Sequence, residues 1–512
     1  MALGFVQARR AVPQSALARL WSSISAWFVR SQPARPSLTL TRRAYDGAST
    51  GRLYANWIGA STGVNSEIQQ GIETLRSRSR ESVRNNPIAA RAIEALTANV
   101  VGTGIRPRLV TDDEALRGRV HGLWDRWSAA CSVSDDLTVY GLQAMAVRAM
   151  FESGEVFLRR RWRRPEDRLP VPLQVQVLEA DYCPIYQTQL QPQAGGQIVQ
   201  GVEFDAIDRR VAYWLLRRHP GEWLGVLDGS ALEPSRIPAG EVSHLFEPLR
   251  PGQVRGAPKM SPVLTALRDL ADYDLCERQR KKSEAGITGF VLPGDNTDFG
   301  EESIASPEVT DQDGNLVDDI EPGMLAVLRN GKDIRFTQPA QNAGYSEYIR
   351  AQVRLIAAGL SMPYELFGDL SQVNYSSYRA GWVEFRRYVT TVQQNVVIPL
   401  LCEKMWGWFI EAAIVAGELP AGEYRAKWIP PRFEDVDKLK EVQAAVAEMR
   451  AGLRSWRDSV RERGEDPDET LAEIVADFDR LRAVGLWLDS DPNKGNGQGA
   501  PSASSADNEN SA

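Results

Sequence analysis

Three histidines, His121, His219 and His244, and four cysteines, Cys131, Cys183, Cys276 and Cys402, are all the imidazole and thiol in this 512-residue chain. The cysteines stand far apart with no CxxC pair, which excludes zinc knuckles and thioredoxin-type redox sites and fits a reducing compartment. His244 sits in "EVSHLF", a strand-like segment with no nucleophile at a recognisable spacing, and reads as a half-buried, hydrogen-bonded histidine. Cys276 reads as a core or interface residue of a long helix. Paired carboxylates crowd residues 295–321, and a nuclease would need such groups gathered in a pocket around Mg²⁺. That segment is polar and turn-rich. Counted from Asp311 as an EF-hand loop, it puts Gly314 at the fourth position and Pro322 where a bidentate Glu is needed, so it reads as a solvated hairpin. There is no GxxxxGK[ST], GxSxG or HExxH, and Gly102–Thr103–Gly104 lacks the third glycine of a dinucleotide fingerprint. These residues predict no catalytic site, no metal and no cofactor.

Basic residues cluster in two places. Arg278, Arg280, Lys281 and Lys282 crowd the end of a long helix, where they either complement its dipole or face phosphate in an oligomer. "RRRWRR" (159–164) is either a solvated strand end or a contact for nucleic acid or a partner.

Several elements must position these groups. Composition is near the globular average, 43% hydrophobic and 25% charged, and the length allows two to four cooperative units. No run of about 18 apolar residues predicts a transmembrane helix. The net charge of −7 is uneven. Seven arginines precede the first acid, Asp46, leaving −14 on the remainder. Such an arm suits a presequence, or a contact for nucleic acid or an acidic partner. Within it Ser15–Val29 has an amphipathic helical pattern.

Helical periodicity runs over 66–100 with a break at Asn85–Asn86–Pro87, then over about 113–130 and 137–152. Alternating segments follow at 155–162, 173–180, 198–205, 210–218 and 241–248, a meandering antiparallel region. Ser261–Pro262 predicts a capped helix running to about Glu284. Residues 287–337 return to strand and turn, with Asp313–Gly314 a hairpin signal and eleven acidic residues against three basic. Helix resumes from Tyr345 to Ala358 and breaks at Gly359, Pro363 and Gly368. It runs again from Ser377 to Ala416, with a kink expected at Pro399, then over 435–452 and 468–485. The tail from Asp489 is low-complexity and predicts disorder.

The order of elements, with five local motifs, resembles the lambda-type phage portal protein family. The motifs are "VRNNPIAARAIEALTANVVGTGIRPR" (83–108), "ESGEVFLR" (152–159), "HLFEPLRPGQVRGAPKMSPVL" (244–264), "LIAAGLSMPYELFGDLSQVNYSSYRAG" (355–381) and "LKEVQAAVAEMRAGLRSW" (439–456). The resemblance spans roughly 65–490. It implies an α+β portal fold: a wing of helices and antiparallel sheet, long stem helices, a small α/β clip and a helical crown, assembled into a ring.

Under it, residues 1–64 are a basic arm and linker, 65–258 the wing, 259–285 and 343–360 the stem helices, and 286–342 the acidic clip. Residues 361–376 are the tunnel loop, 377–434 the kinked long helix and returning wing, 435–488 the crown and 489–512 the tail. It further implies a non-enzymatic ring, usually twelve subunits, at one capsid vertex of the virion, through which double-stranded DNA is packaged and ejected. The partners implied are the terminase large subunit, head–tail connector proteins, scaffold and major capsid protein, and no membrane. The arm would then face scaffold, capsid or packaged DNA.

Carried onto this sequence, Gln372, Asn374, Tyr375, Ser376, Ser377 and Arg379 belong to the tunnel loop, where Ser376 or Ser377 also suits a helix cap. Arg278, Arg280, Lys281 and Lys282 face the channel, and Glu301, Glu302, Asp318 and Asp319 dock partners on the clip. Two other readings stay open: a metal-dependent nuclease using the acidic insert, and a DNA-binding adaptor of a mobile element using the arm.

Overall fold

Several helices start where the sequence supplies a side-chain cap. Helix α1 (Val64–Asn85) stops at Asn86, whose Oδ1 accepts from the Ile88 and Ala89 amides to open α2 (Pro87–Val100), with proline at the first turn. Asp113 caps α3 (Glu114–Ser128) through the Leu116 amide. Thr138 caps α4 (Val139–Ser153), and Gly154, in the left-handed region at φ 91°, ends it. The computed structural model describes residues 61–134, 136–191, 196–222, 232–291, 324–327, 344–368, 375–433, 438–463 and 465–486. The predicted N-terminal amphipathic helix, the Asp313–Gly314 hairpin and the C-terminal tail lie outside them. The elements below belong to the unit that begins at Gly63.

The fold is mixed α+β. Strand β1 (Arg106–Leu109) follows α2, and β2 (Glu155–Trp162) and β3 (Leu173–Glu179) follow α4. Next come β4 (Gln189–Gln191), β5 (Gly196–Val199), β6 (Val202–Phe204), β7 (Arg210–Leu215), β8 (Ser235–Pro238) and β9 (Val242–Phe246). Strands β4 to β8 form a five-stranded antiparallel meander, while β2 lies between β3 and β9 in a separate antiparallel sheet. The single strand expected at 198–205 is a hairpin instead, turning at Gln200 (φ 52°) and Gly201 (φ 82°).

The long helix α5 (Leu264–Gly286) starts later than its Ser261 signal suggests. The Ser261 hydroxyl donates to the Pro258 carbonyl, so it closes the preceding turn and does not cap the helix. Strand β10 (Ile287–Val291) pairs with β11 (Met324–Val327) in parallel. Helix α6 (Tyr345–Gly359) contacts α5 through the Tyr273 ring, 4.7 Å from that of Tyr348.

Helix α7 (Tyr375–Val392), a π-helical stretch (Gln393–Cys402) and α8 (Glu403–Val415) are continuous. The kink expected at Pro399 takes this form: proline has no N–H, and the wider turn reroutes the ladder so that Glu403 N–H reaches the Ile398 carbonyl. Strand β12 (Ala426–Ile429) pairs antiparallel with β1. Helices α9 (Lys438–Arg450), α10 (Trp456–Glu462) and α11 (Pro467–Ala483) end the described chain, α10 being unanticipated.

One large core joins α2, α3, α4, the face of β2 carrying Val156 and Leu158, and the α7–α8 rod. At its centre Trp124, Trp127, Trp406 and Phe409 pack with ring centroids 5.0–5.8 Å apart. The buried indoles of Trp127 and Trp406 donate to the Leu173 and Tyr424 carbonyls. A smaller core of Phe157, Leu178, Val202, Tyr213, Leu215 and Val254 fills the other face of β2.

Candidate functional site

The basic cluster on α5 is largely engaged within its own chain. Arg278 pairs with Asp274 at 2.9 Å, Arg280 with Glu277 at 2.5 Å, and Lys281 lies 5.3 Å from the Tyr345 ring centre. Lys281 and Lys282 are exposed. Helical spacings of three and four residues place each arginine beside its acid, so these side chains are neutralised locally as well as solvated.

Of the residues expected in the 361–376 loop, Gln372 and Asn374 lie outside the described residues. Tyr375, Ser376 and Ser377 form the first turn of α7, inside the helix and not at its cap position. Arg379 is exposed, 3.9 Å from Glu441 on α9. Glu301, Glu302, Asp318 and Asp319 lie outside the described residues.

Glu179, Asp181 and His219 bring ligand-type atoms within 4.8 Å of one another. Two features argue against a metal there. The Arg80 guanidinium already sits 2.8 Å from Glu179 and 2.5 Å from Asp181. His219 Nδ1 accepts from the Gly221 amide, so in the neutral ring the proton is on Nε2, the atom facing the carboxylates. That nitrogen has no lone pair to offer.

A dense polar constellation is buried at the start of β2. Glu155 is fully buried, and its two oxygens are satisfied by four groups. Oε1 accepts from Arg76 and from Arg255 Nε at 2.8 Å. Oε2 accepts from the Gly256 amide at 2.8 Å and from His244 Nε2 at 2.9 Å. The remaining donors also have partners. Arg76 Nε reaches the Ser153 carbonyl, and Arg255 reaches the Gln200 and Ala180 carbonyls. Gln253 donates to the Arg255 carbonyl and accepts from the Leu249 and Arg250 amides. Burial alone would raise the Glu155 carboxyl, but Arg255 and Arg76 override it and hold it well below the usual range.

His244 is not half-buried as expected but enclosed, stacked on Phe157 at 4.4 Å, and burial pulls its pKa down to about 4. It is a neutral imidazole, donating from Nε2 and approached at Nδ1 by Arg210.

The carboxylate is saturated by donors, and burial holds the neighbouring Cys183 as a thiol, so the arrangement is structural. It fastens α1, β2, β9 and the 253–256 segment together. Glu155, His244, Arg255 and Gly256 lie within the 152–159 and 244–264 motifs, but nothing in the sequence marks them as partners. Arg76 carried no signal at all. Glycine is obligatory beside them, because a Cβ on Gly256 would overlap the Gly154 carbonyl oxygen. The three buried thiols are equally inert: burial pushes Cys131 up to about 12 and Cys183 up to about 11, and raises Cys402 further.

Comparison with known proteins agrees with a scaffold. The chain is 29% identical over 483 residues to the "Probable portal protein" of Halomonas phage phiHAP-1, covering 89% of this chain and 90% of that one. It is 24% identical over 513 residues to "Portal protein B" of Escherichia phage lambda, covering 86% and 90%. A chain in the virion of a native gene transfer agent particle matches at TM-score 0.40 and 16% identity, over 82% of this chain and 99% of that one. Residues 50–393 match the family described as phage portal protein, lambda family. The chain therefore belongs to the lambda family of phage portal proteins, structural components of the virion with no enzymatic activity of their own.

Proposed function

We propose that this chain assembles into a ring, about twelve subunits, at one capsid vertex, through which double-stranded DNA is packaged and later ejected. Terminase and head–tail connector proteins dock on it from outside, and scaffold and major capsid protein surround it. In this reading residues 65–258 with 377–434 form the wing, 259–285 and 343–360 the stem helices, 286–342 the clip and 435–488 the crown.

The observation that carries the reading is the apolar surface that one chain leaves uncovered on its helices. Leu275 on α5 is 50% exposed and Leu355 on α6 is 61% exposed. On α11, Leu471, Ile474 and Val475 are exposed at helical spacing. Large side chains displayed along several elements are what a heterologous, ring-closing interface covers. The negative net charge supports a conduit, since a bore that neutralised many phosphates would hold DNA and not pass it. The 361–376 loop projects into the bore and limits backward slippage, and Glu301, Glu302, Asp318 and Asp319 form part of the docking surface.

Negative-stain imaging and light scattering of the purified chain test the ring. Rings with a central hole are expected, and a monomer at every salt and protein concentration would overturn the reading. Deleting 369–374 should leave assembly intact while packaged DNA is lost or shortened. Charge reversal at the four clip acids should weaken terminase docking without dissolving rings.

A further inference from the structure

The arginines of β2, with Arg163 directly after its last residue, divide between two faces, and the two sets are treated differently. Arg160 has an acidic partner, Glu411, at 2.5 Å, and lies over the Trp162 ring at 5.2 Å. Arg159, Arg161 and Arg163 alternate with it and share the opposite face, about 6.6 Å apart along the chain. The side chains that bond them are neutral. Arg161 donates from Nε and Nη2 to Gln176 Oε1 at 2.9 and 2.7 Å, and Arg163 Nε donates to Gln174 Oε1 at 2.7 Å.

Gln174 is itself fixed by donating to the Ala130 and Ser132 carbonyls. Arg159 Nε has no hydrogen-bond partner among the described residues. Among those residues none of the three guanidinia hydrogen-bonds a carboxylate, although arginines across the rest of the chain commonly do. Glu241 is the acidic group whose field reaches Arg159 and Arg161. Burial, and then the neighbouring like charge, pull both of them below the ordinary arginine value.

Two positive groups held by glutamine amides and a third, Arg159, beside them, none bonded to a carboxylate among the described residues, form a prepared polyanion contact. We propose that Arg159, Arg161 and Arg163 bind the phosphate backbone of duplex DNA on the surface of the protein, at a site separate from the channel. The spacing of alternate strand residues, about 6.6 Å, is on the scale of neighbouring phosphates along one DNA strand. The lining is guanidinium and amide, the donor set that holds phosphate without reading sequence. An acidic protein partner would bring an apolar centre to its interface, and this stripe offers none.

The test uses the full-length protein in its native assembly state and closed circular duplex DNA of mixed sequence, which cannot be threaded through a ring. Binding is titrated at several salt concentrations for the wild type, for Arg159→Gln/Arg161→Gln/Arg163→Gln and for the corresponding triple lysine variant. Light scattering and thermal unfolding verify that each variant is folded and assembled. The glutamine variant is expected to bind about tenfold or more weakly near 0.1 M salt. Its slope of log affinity against log salt should fall in magnitude by about 2–3, at roughly 0.9 for each phosphate no longer neutralised. The lysine variant should keep most of that slope.

An unchanged slope in a folded glutamine variant overturns the proposal and leaves an acidic protein as the partner to seek. Equal weakening in the lysine variant also overturns it, because the arginines would then act through Gln174 and Gln176. Because circular DNA reads only the outer surface, the result stands apart from whether the ring and channel reading holds.

Discussion

His244 Nε2 lies 2.9 Å from Glu155 Oε2, and neither side chain reaches water. The pair is a neutral imidazole beside an ionised carboxylate whose charge is balanced by Arg76 and Arg255. It is a structural contact with a pH dependence written into it.

Acidification should destabilise the protein through this pair. His244 titrates at about 4 when folded against an ordinary 6.5, and Glu155 is held below the usual carboxylate range. Both folded values are depressed, so the unfolded chain binds more protons and stability falls as pH falls. The His244 contribution is complete above about pH 6.5 and is lost between there and about pH 4, roughly 3 kcal/mol in all. Urea midpoints measured across that window should decline, and His244→Gln should flatten the decline. A midpoint independent of pH would refute the assignment.

Glu155→Gln should cost more than the pH effect. It leaves two buried guanidinia without a counter-ion, a loss of about 3–5 kcal/mol. The folded yield and thermal midpoint at neutral pH report it. A near-neutral result would mean that solvent reaches Arg76 and Arg255.

Gly256→Ala should be damaging while Gly240→Ala is tolerated. At Gly256 the new Cβ runs into the Gly154 backbone, whereas at Gly240 nothing lies within 4 Å. The expected losses are about 2–3 kcal/mol for the first and within about 0.5 kcal/mol for the second. Paired denaturation curves decide it.

One thiol per native chain should react with a soluble disulfide reagent. Cys276 is exposed, and the other three cysteines are buried with raised pKa values. All four should titrate in denaturant. Rapid reaction of a second native thiol would contradict the packing of the core.

Arg108 ties the C-terminal helices to β1, pairing with Asp466 at 2.6 Å and with Asp468. Arg108→Ala should remove about 1–2 kcal/mol from that attachment. Hydrogen exchange over 465–483 should rise about tenfold while the α3–α8 core stays protected. Unaltered exchange would place the attachment in other contacts.

Much of this fold was readable from local pattern. Asn86, Thr138 and Gly154 act at helix ends as their chemistry dictates, and 155–162 is a strand from end to end. What escaped was non-local or atypical. Strand β1 is "RPRL", with a proline and two arginines, and it is a strand because Arg106 meets Ile429 from the far end of the chain. The turn at Gln200–Gly201 has no Asn-Gly signature, so two strands read as one.

The Glu155 cluster was hidden for a related reason. A carboxylate that will be buried looks no different in sequence from one that will be solvated. Its partners Arg76, His244 and Arg255 stand 79, 89 and 100 residues away. Local windows see periodicity and caps, and cannot see which charges will meet.

The backbone contact between Gly154 and Gly256 has a mechanical meaning. It stands ahead of the long helix α5 and beside the bonds that Arg255 and Gly256 make to Glu155, so the segment leading into that helix is tied to the sheet at more than one point. Hydrogen bonds loaded in shear share force and resist far better than bonds peeled in sequence. A pull or twist along α5 is thus passed into the sheet and the aromatic core behind it as strain on a rigid body, and the joint behaves as a bracket and not as a hinge.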